Sequence, residues 1–217
     1  MSAPQVQELR SQQLIWGALG LVLAGVIGYG AWSSLSAPSD SALPGKLPIY
    51  GEVPEFSLIE RSEQPFTHTH LLGSIWIADF IFTHCPGMCP MLSQRMSRLQ
   101  TTLRNEPVRL LSFSVDPERD TPQVLQHYAQ RYHADAQRWL FLTGKRSQMY
   151  SLIQHGFQLS VEALEPNDPR LTTNEPIVHS NRFVLIDGQL RIRGYYHEDD
   201  AASMGQLLRD IEMLKQE

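Results

Sequence analysis

The sequence predicts an α/β protein in which helices pack on a sheet, preceded by a single transmembrane helix. Near-continuous apolar runs at residues 75–83 and 108–115 are typical of strands that are covered on both faces. Amphipathic, helix-like segments follow both runs. An uncharged, mostly apolar segment at residues 14–32 completes the pattern.

Residues 14–32 are long enough to cross a membrane. With a rise of about 1.5 Å per residue, a helix of this length spans about 28 Å, close to the roughly 30 Å of bilayer hydrocarbon. A cleaved signal peptide has a shorter apolar core of about 7–15 residues, although Ser34-Leu35-Ser36 offers a small-residue cleavage site. Arg10 precedes the segment and no basic residue follows until Lys46. The N-terminus is therefore expected in the cytoplasm and the folded domain in the periplasm, anchored in a bacterial inner membrane.

The sequence divides into four expected segments: a cytoplasmic N-terminus at residues 1–13, a transmembrane anchor at 14–32, a linker at 33–46 and a folded domain at 47–217. The linker is rich in Ser, Pro, Ala and Gly. The folded segment is long enough for one substantial core. A net charge of −5 with no basic stripe argues against a nucleic-acid partner.

Each apolar run in the domain is followed by a helical pattern. A short strand is predicted at residues 56–59, before the first long run. The helix after the first long run carries apolar residues at Met91, Leu92, Met96, Leu99 and Leu103. Thr121 and Pro122 are predicted as the N-cap and the first residue of the helix that follows the second run.

The second half of the domain continues the alternation. A third strand is predicted at residues 139–142, a third helix at 146–155 and a long loop at 160–176. A hairpin at 181–193 should turn at Asp187-Gly188, and a last helix should cover Ala201–Leu214. This layout is typical of a thioredoxin-like α/β sandwich.

The only two cysteines lie in Cys85-Pro86-Gly87-Met88-Cys89-Pro90, where the first long strand ends. Pro90 is expected at the first helical position, which makes Cys89 the N-cap and lets the helix dipole lower the pKa of its thiol. Pro86-Gly87 fits the middle of a type II turn, which would bring Cys85 back toward Cys89. The pair is therefore suited either to a soft metal ion or to one disulfide.

Two thiolates favour copper(I), zinc or an iron–sulfur cluster. A cluster normally needs four cysteines and is excluded on count. Zinc would need four protein ligands, or three and a water. His179 is the candidate third ligand, since in a thioredoxin-like sheet the connection before the hairpin approaches the cysteine loop. These patterns alone are equally consistent with His179 as a metal ligand and with His179 as a surface residue. The remaining histidines are interpreted as surface residues: His68, His70, His84, His127, His133, His155 and His197. His84 adjoins Cys85, but neighbours on an extended segment point to opposite sides.

Residues 82–90, residues 114–122, Leu142-Thr143-Gly144 and His179-Ser180 resemble the SCO/SenC family in identity, order and spacing, over about residues 50–215. The resemblance implies a thioredoxin-like fold that binds copper through Cys85, Cys89 and His179. It implies delivery of copper toward the dinuclear copper centre of cytochrome c oxidase, either to the copper-accepting subunit or to another periplasmic copper chaperone. Asp116 is then a candidate outer group that orients a ligand, or alternatively a cap of the turn in which it lies.

One residue departs from the family pattern, which often has an aspartate where this chain has Gly87. An acidic side chain there would influence copper binding or partner recognition. Two other functions use the same cysteines. The pair would cycle between dithiol and disulfide in a thiol–disulfide reductase, as in some members of the family, and one cysteine would attack peroxide in a peroxidase of related fold. His179 distinguishes copper binding from thiol–disulfide exchange, because copper binding gains from a third ligand and exchange does not require a distant histidine.

Overall fold

The computed structural model describes residues 46–163 apart from Pro86, and residues 177–217, although not the side chains of Ala163 and Ile177–His179. The predicted N-terminal segment, the transmembrane anchor and most of the linker lie outside the described residues. Within the described residues, none of the helices combines the length and apolarity that a membrane crossing requires.

An eight-stranded mixed sheet forms the centre of the described domain, in the order β1-β10-β9-β4-β5-β6-β2-β3. Its strands are β1 Gly51–Glu52, β2 Ser57–Glu60, β3 Pro65–Thr67, β4 Ile75–Ile81, β5 Val108–Ser114, β6 Trp139–Thr143, β9 Arg182–Ile186 and β10 Arg191–His197. The central strands β4, β5 and β6 are parallel, whereas β9 runs antiparallel to β4. Two further strands, β7 Val161–Ala163 and β8 Ile177–His179, pair with each other in a separate sheet.

Helices connect and cover the parallel strands. They are α1 Met88–Thr102, α2 Pro122–Arg131, α3 Arg146–Ser151 and α4 Ala201–Leu214, with a 3₁₀ turn at His68–Leu71 and a π-helical segment at Leu152–Gly156. The predicted start of α2 is confirmed, because the Thr121 side chain accepts a hydrogen bond from Val124 N at 3.3 Å and Pro122 is the first helical residue. The bounds predicted for α4 are also confirmed. The described architecture is therefore the predicted α/β sandwich.

The core explains why the central strands read as continuous apolar runs. Trp76, Phe80, Phe113 and Phe157 pack together with ring centroids 5.0 to 6.4 Å apart. Trp139 and Phe141 stack together in the core, with centroids 5.1 Å apart. Because helices cover the central strands, nearly every residue of β4, β5 and β6 is buried.

The hairpin between β9 and β10 differs from the prediction in its turn. Four residues, 187–190, connect the strands, where the sequence predicted a two-residue turn. The Asp187 carboxylate accepts hydrogen bonds from Gln189 N at 2.9 Å and Arg191 N at 3.0 Å, and so stabilises the longer connection. Leu190 adopts a positive φ of 63°. Gly188 is required for a different reason, since an added Cβ would lie 2.9 Å from the Cα of Gly73.

Candidate metal centre

The cysteine loop lies between β4 and α1, at the carboxyl ends of the parallel strands. Cys85 N donates to Phe82 O at 3.3 Å, so that residues 82–85 form a tight turn. Thr83 and His84 occupy the corner of this turn. The chain therefore reverses direction at Thr83 and His84, where the sequence predicted an extended segment. Cys85 lies inside with 6% of its surface exposed, whereas His84 is exposed.

The two cysteines are held together by their backbone. Cys89 N donates to Cys85 Sγ at 3.3 Å, and Phe82 N donates to Cys89 Sγ at 3.5 Å. Cys89 has no exposed surface. The structure thus brings both cysteines into one buried site. The type II turn predicted at Pro86-Gly87 includes Pro86, which lies outside the described residues.

The prediction that Cys89 is the N-cap of α1 is wrong. The helix begins at Met88 with Gly87 as its N-cap, which places Cys89 second and Pro90 third. Proline is tolerated there because the first four N–H groups of a helix have no partner within the helix. The Cys89 N–H is one of those groups, and Cys85 Sγ accepts it.

The prediction of a lowered pKa for Cys89 is also wrong. Burial is the largest influence and raises the pKa of the Cys89 thiol, and a hydrogen bond with the Cys85 side chain raises it further. The hydrogen bond from Phe82 N acts in the opposite direction without reversing the shift. In the absence of a metal, the environment of Cys89 therefore favours the protonated thiol.

Asp120 is a polar residue of this region that the sequence analysis did not single out. It has no exposed surface and accepts hydrogen bonds from Thr83 Oγ1 at 2.6 Å, Thr83 N at 3.3 Å and Ser114 Oγ at 2.7 Å. Burial raises the pKa of its carboxyl group, against the effect of these hydrogen bonds. Asp120 therefore ties the turn before Cys85 to the end of β5. Its position between a predicted strand and a predicted N-cap is the sequence feature that could have identified Asp120 as a candidate.

Asp116 is buried in the same connection, with other contacts. Its backbone N donates to Ser114 Oγ at 3.1 Å, its carbonyl accepts from Arg119 N and Asp120 N, and its carboxylate lies 3.4 Å from Arg119 Nε. These contacts are those of a turn residue. Its role as an outer group of a metal site stays a prediction.

The structure describes only the backbone of His179. This residue is the last of β8 and pairs with Val161. Because β9 is antiparallel to β4, the chain that enters β9 does so at the end of the sheet where β4 stops. Among the described side chains, no three His, Cys, Asp or Glu residues are grouped so that they could hold a metal ion. The role of His179 as third ligand stays a prediction.

The chemistry of the two cysteines fits copper(I). Sulfur is a soft donor, and thiolates are ligands that suit copper(I), as they also suit zinc. Burial also limits the access of water to both sulfurs. Binding would replace the thiol protons by the metal, because only the thiolate is a ligand. The same proximity of the two residues suits a disulfide.

Comparison with known proteins identifies relatives of this chain. Residues 50–216 match the family model described as SCO1/SenC. The chain is 30% identical over 169 residues to the SCO1 protein homolog of Bacillus subtilis (strain 168), covering 76% of this chain and 84% of the relative.

Two solved structures extend the comparison. BsSco, described as a member of the Sco family of cytochrome c oxidase assembly proteins with a disulfide switch, is 28% identical with a TM-score of 0.67, covering 79% of this chain and 98% of that one. Arabidopsis thaliana ScoI, solved with copper bound, is 23% identical with a TM-score of 0.63, covering 75% and 99%. At that identity, the second likeness establishes the fold alone.

Proposed function

The chain belongs to the SCO1/SenC family, and from this premise we propose that it is a membrane-anchored periplasmic copper chaperone. Cys85 and Cys89 supply thiolate ligands, and His179 supplies an imidazole. The reaction is ligand exchange, in which copper passes from this site to a partner protein. Copper is the cargo, and the protein returns unchanged.

One observation carries the proposal: two buried cysteines are held side by side at the end of β4. The Cys89 N–H that donates to Cys85 Sγ at 3.3 Å would stabilise that sulfur as a thiolate when the metal displaces its proton. Neither residue depends on a long flexible loop, since β4 precedes the pair and the first turn of α1 contains Cys89.

The proposed partner is the copper-accepting subunit of cytochrome c oxidase, or another periplasmic copper chaperone that passes copper onward. The relation of BsSco to cytochrome c oxidase assembly supports this choice. The surface around the turn at residues 82–85 is the docking face, because it is where the site approaches solvent. The apolar segment at residues 14–32 would hold the domain near such a membrane-bound acceptor.

The test is copper titration of the reduced protein and of the protein with Cys85 and Cys89 oxidised to a disulfide. A disulfide removes both thiolates, and an imidazole by itself holds copper weakly. We expect one copper ion per chain in the reduced protein, essentially none after oxidation, and full recovery on re-reduction. Retention of copper by the oxidised protein at a similar affinity would contradict this ligand set.

A thiol–disulfide reductase is the alternative, and the reported disulfide switch of BsSco favours keeping it. In that reaction Cys85 and Cys89 lose two protons and two electrons as they form a disulfide, and a disulfide of the partner is reduced to two thiols. Replacing His179 separates the two functions, because exchange would continue in the variant while copper binding would change.

A further inference from the structure

The buried position of the cysteines raises the question of which group meets incoming copper first. Cys85 is 6% exposed and Cys89 is not exposed at all. His84 immediately precedes Cys85 and is exposed, because it lies at the corner of the turn at residues 82–85. Adjacent Cα atoms are only about 3.8 Å apart, so His84 is the exposed residue next to the buried pair along the chain.

The His84 ring is anchored through one nitrogen. Its Nδ1 lies 3.0 Å from Thr83 Oγ1, and Thr83 Oγ1 donates its single proton to Asp120 Oδ1 at 2.6 Å. With that proton committed to Asp120, the Thr83 oxygen must act as the acceptor for His84. Nδ1 is therefore the protonated nitrogen, and in the neutral imidazole this leaves the lone pair on Nε2.

The other nitrogen remains available to a ligand. Within the described part of the chain, Nδ1 is the only nitrogen of the His84 ring that makes a hydrogen bond. Metal-binding histidines commonly donate one ring N–H to a carboxylate, carbonyl or other acceptor and coordinate through the second nitrogen. The Asp120–Thr83–His84 chain reproduces this arrangement, with the threonine hydroxyl between carboxylate and imidazole.

The support beneath the imidazole is rigid. Asp120 is fully buried and also accepts hydrogen bonds from Thr83 N and Ser114 Oγ. It is therefore fixed to the end of β5, next to β4 in the sheet.

We propose that His84 is the acquisition ligand of the site: its Nε2 takes copper from a donor and passes it to Cys85 and Cys89. The inference rests on the proposed function, since the cysteines are the destination. The step is ligand exchange without change of oxidation state. The donor's ligand leaves, Nε2 binds, and each thiol that then binds copper releases its proton to solvent.

The experiment measures how fast the full chain, reduced and held in detergent, takes copper(I) from its bicinchoninate complex. Loss of the colour of the complex is followed by stopped flow, and the final amount bound is measured separately. In His84→Gln the side-chain amide still hydrogen-bonds to Thr83 but has no imidazole nitrogen. The matched control is His127→Gln, which changes an exposed histidine on α2.

We expect His84→Gln to load at least about tenfold more slowly while binding the same final amount of copper, because a ligand of the transfer step is lost and the final ligands remain. His127→Gln should load like the unmodified protein. Thr83→Val keeps the imidazole and removes its hydroxyl support, so its loading should also slow. His84→Met should recover much of the copper(I) rate, because a thioether is a soft donor.

Equal loading rates in His84→Gln and the unmodified protein would overturn the inference. So would slow loading in Met91→Leu with normal loading in His84→Gln, because it would assign acquisition to the exposed thioether of Met91. A lower final amount of copper in His84→Gln would make His84 a permanent ligand and also overturn it. If the unmodified protein bound no copper, the proposed function itself would fail. Melting temperatures of all variants identify effects on folding, and Thr83→Val provides the independent test if His84→Gln unfolds.

Discussion

At the scale of single residues, the proposed site depends on what each proposed ligand would contribute to each oxidation state of copper. Cys85 and Cys89 lie together in the structure, whereas the ligand role of His179 derives from the sequence. Two thiolates satisfy copper(I), which accepts few soft ligands. Copper(II) prefers a tetragonal set that includes nitrogen.

This difference predicts an asymmetric effect of His179→Ala. The variant should lose at least about tenfold more affinity for copper(II) than for copper(I), in the range that loss of metal-site partners commonly produces. Competition titrations with a chelator selective for each ion measure the two affinities. His155→Ala, which changes a histidine in the π-helical segment, is the control. Unchanged affinity for both ions would remove His179 from the site.

Gly87 allows a second prediction at the residue scale. Aspartate at an N-cap normally accepts a hydrogen bond from the second or third N–H of the helix. In α1 the second N–H belongs to Cys89 and already donates to Cys85 Sγ, while the third residue is Pro90 and has no N–H. The usual donors are therefore unavailable to an aspartate at this position.

We expect Gly87→Asp to be less than about 0.5 kcal/mol more stable than Gly87→Ala, although an aspartate N-cap is ordinarily about 1 kcal/mol better than alanine. Urea unfolding of both variants measures the difference in the free energy of unfolding. A full N-cap gain would show that the aspartate takes the Cys89 N–H from Cys85. In that case the copper affinity of Gly87→Asp should also change.

At the scale of elements, the predictable parts were those whose signal is local and strong. The apolar runs of β4, β5 and β6 predicted central strands, and Thr121-Pro122 predicted the start of α2. Strands β1, β3, β7 and β8 have only two or three residues each, and pairing with a neighbour defines them. The sequence of such a short segment does not determine whether it pairs with a neighbouring strand.

The misplaced start of α1 and the wrong pKa direction for Cys89 have related causes. A proline is accepted anywhere in the first turn, so Pro90 marked the turn without marking its first residue. Burial depends on how the whole domain packs over Cys89, and it outweighs the hydrogen bond from Phe82 N, which acts to lower the pKa of the thiol. Neither outcome follows from the motif alone.

The hairpin offers an element-scale prediction with a control in α4. In Gly188→Ala the new Cβ would lie 2.9 Å from Gly73 Cα and 3.0 Å from Gly73 C, which are backbone atoms. Overpacking of this kind should destabilise the domain by about 1–3 kcal/mol.

Gly205→Ala should have the opposite sign. Its new Cβ would meet only the end of the Arg209 side chain at 3.4 Å, inside a helix where alanine is preferred by about 0.5–1 kcal/mol. Thermal unfolding of the two variants beside the unmodified protein tests both signs. Equal stability of the two would mean that the turn can move away from Gly73.

At the scale of the whole molecule, the resemblance seen in the motifs is confirmed by the SCO1/SenC match over residues 50–216. The family explains why the domain carries a cysteine pair on a thioredoxin-like frame. The family match does not cover the N-terminal segment, so the predicted placement of the domain in the cell rests on that segment alone. Position matters for the proposed chaperone, because it would transfer copper only to acceptors that it meets.

The placement prediction rests on residues 14–32, an uncharged segment long enough to span about 30 Å of hydrocarbon as a helix. The full chain should therefore remain with membranes through a high-salt wash, which removes proteins held only by charge. A variant lacking residues 1–32 should appear in the soluble fraction and still bind copper when reduced, because the cysteine pair belongs to the folded domain. Fractionation followed by N-terminal sequencing makes the measurement. A mature form that begins near Ala37 and is released from the membrane would show that the segment is a cleaved signal, and would require another means of holding the domain near its acceptor.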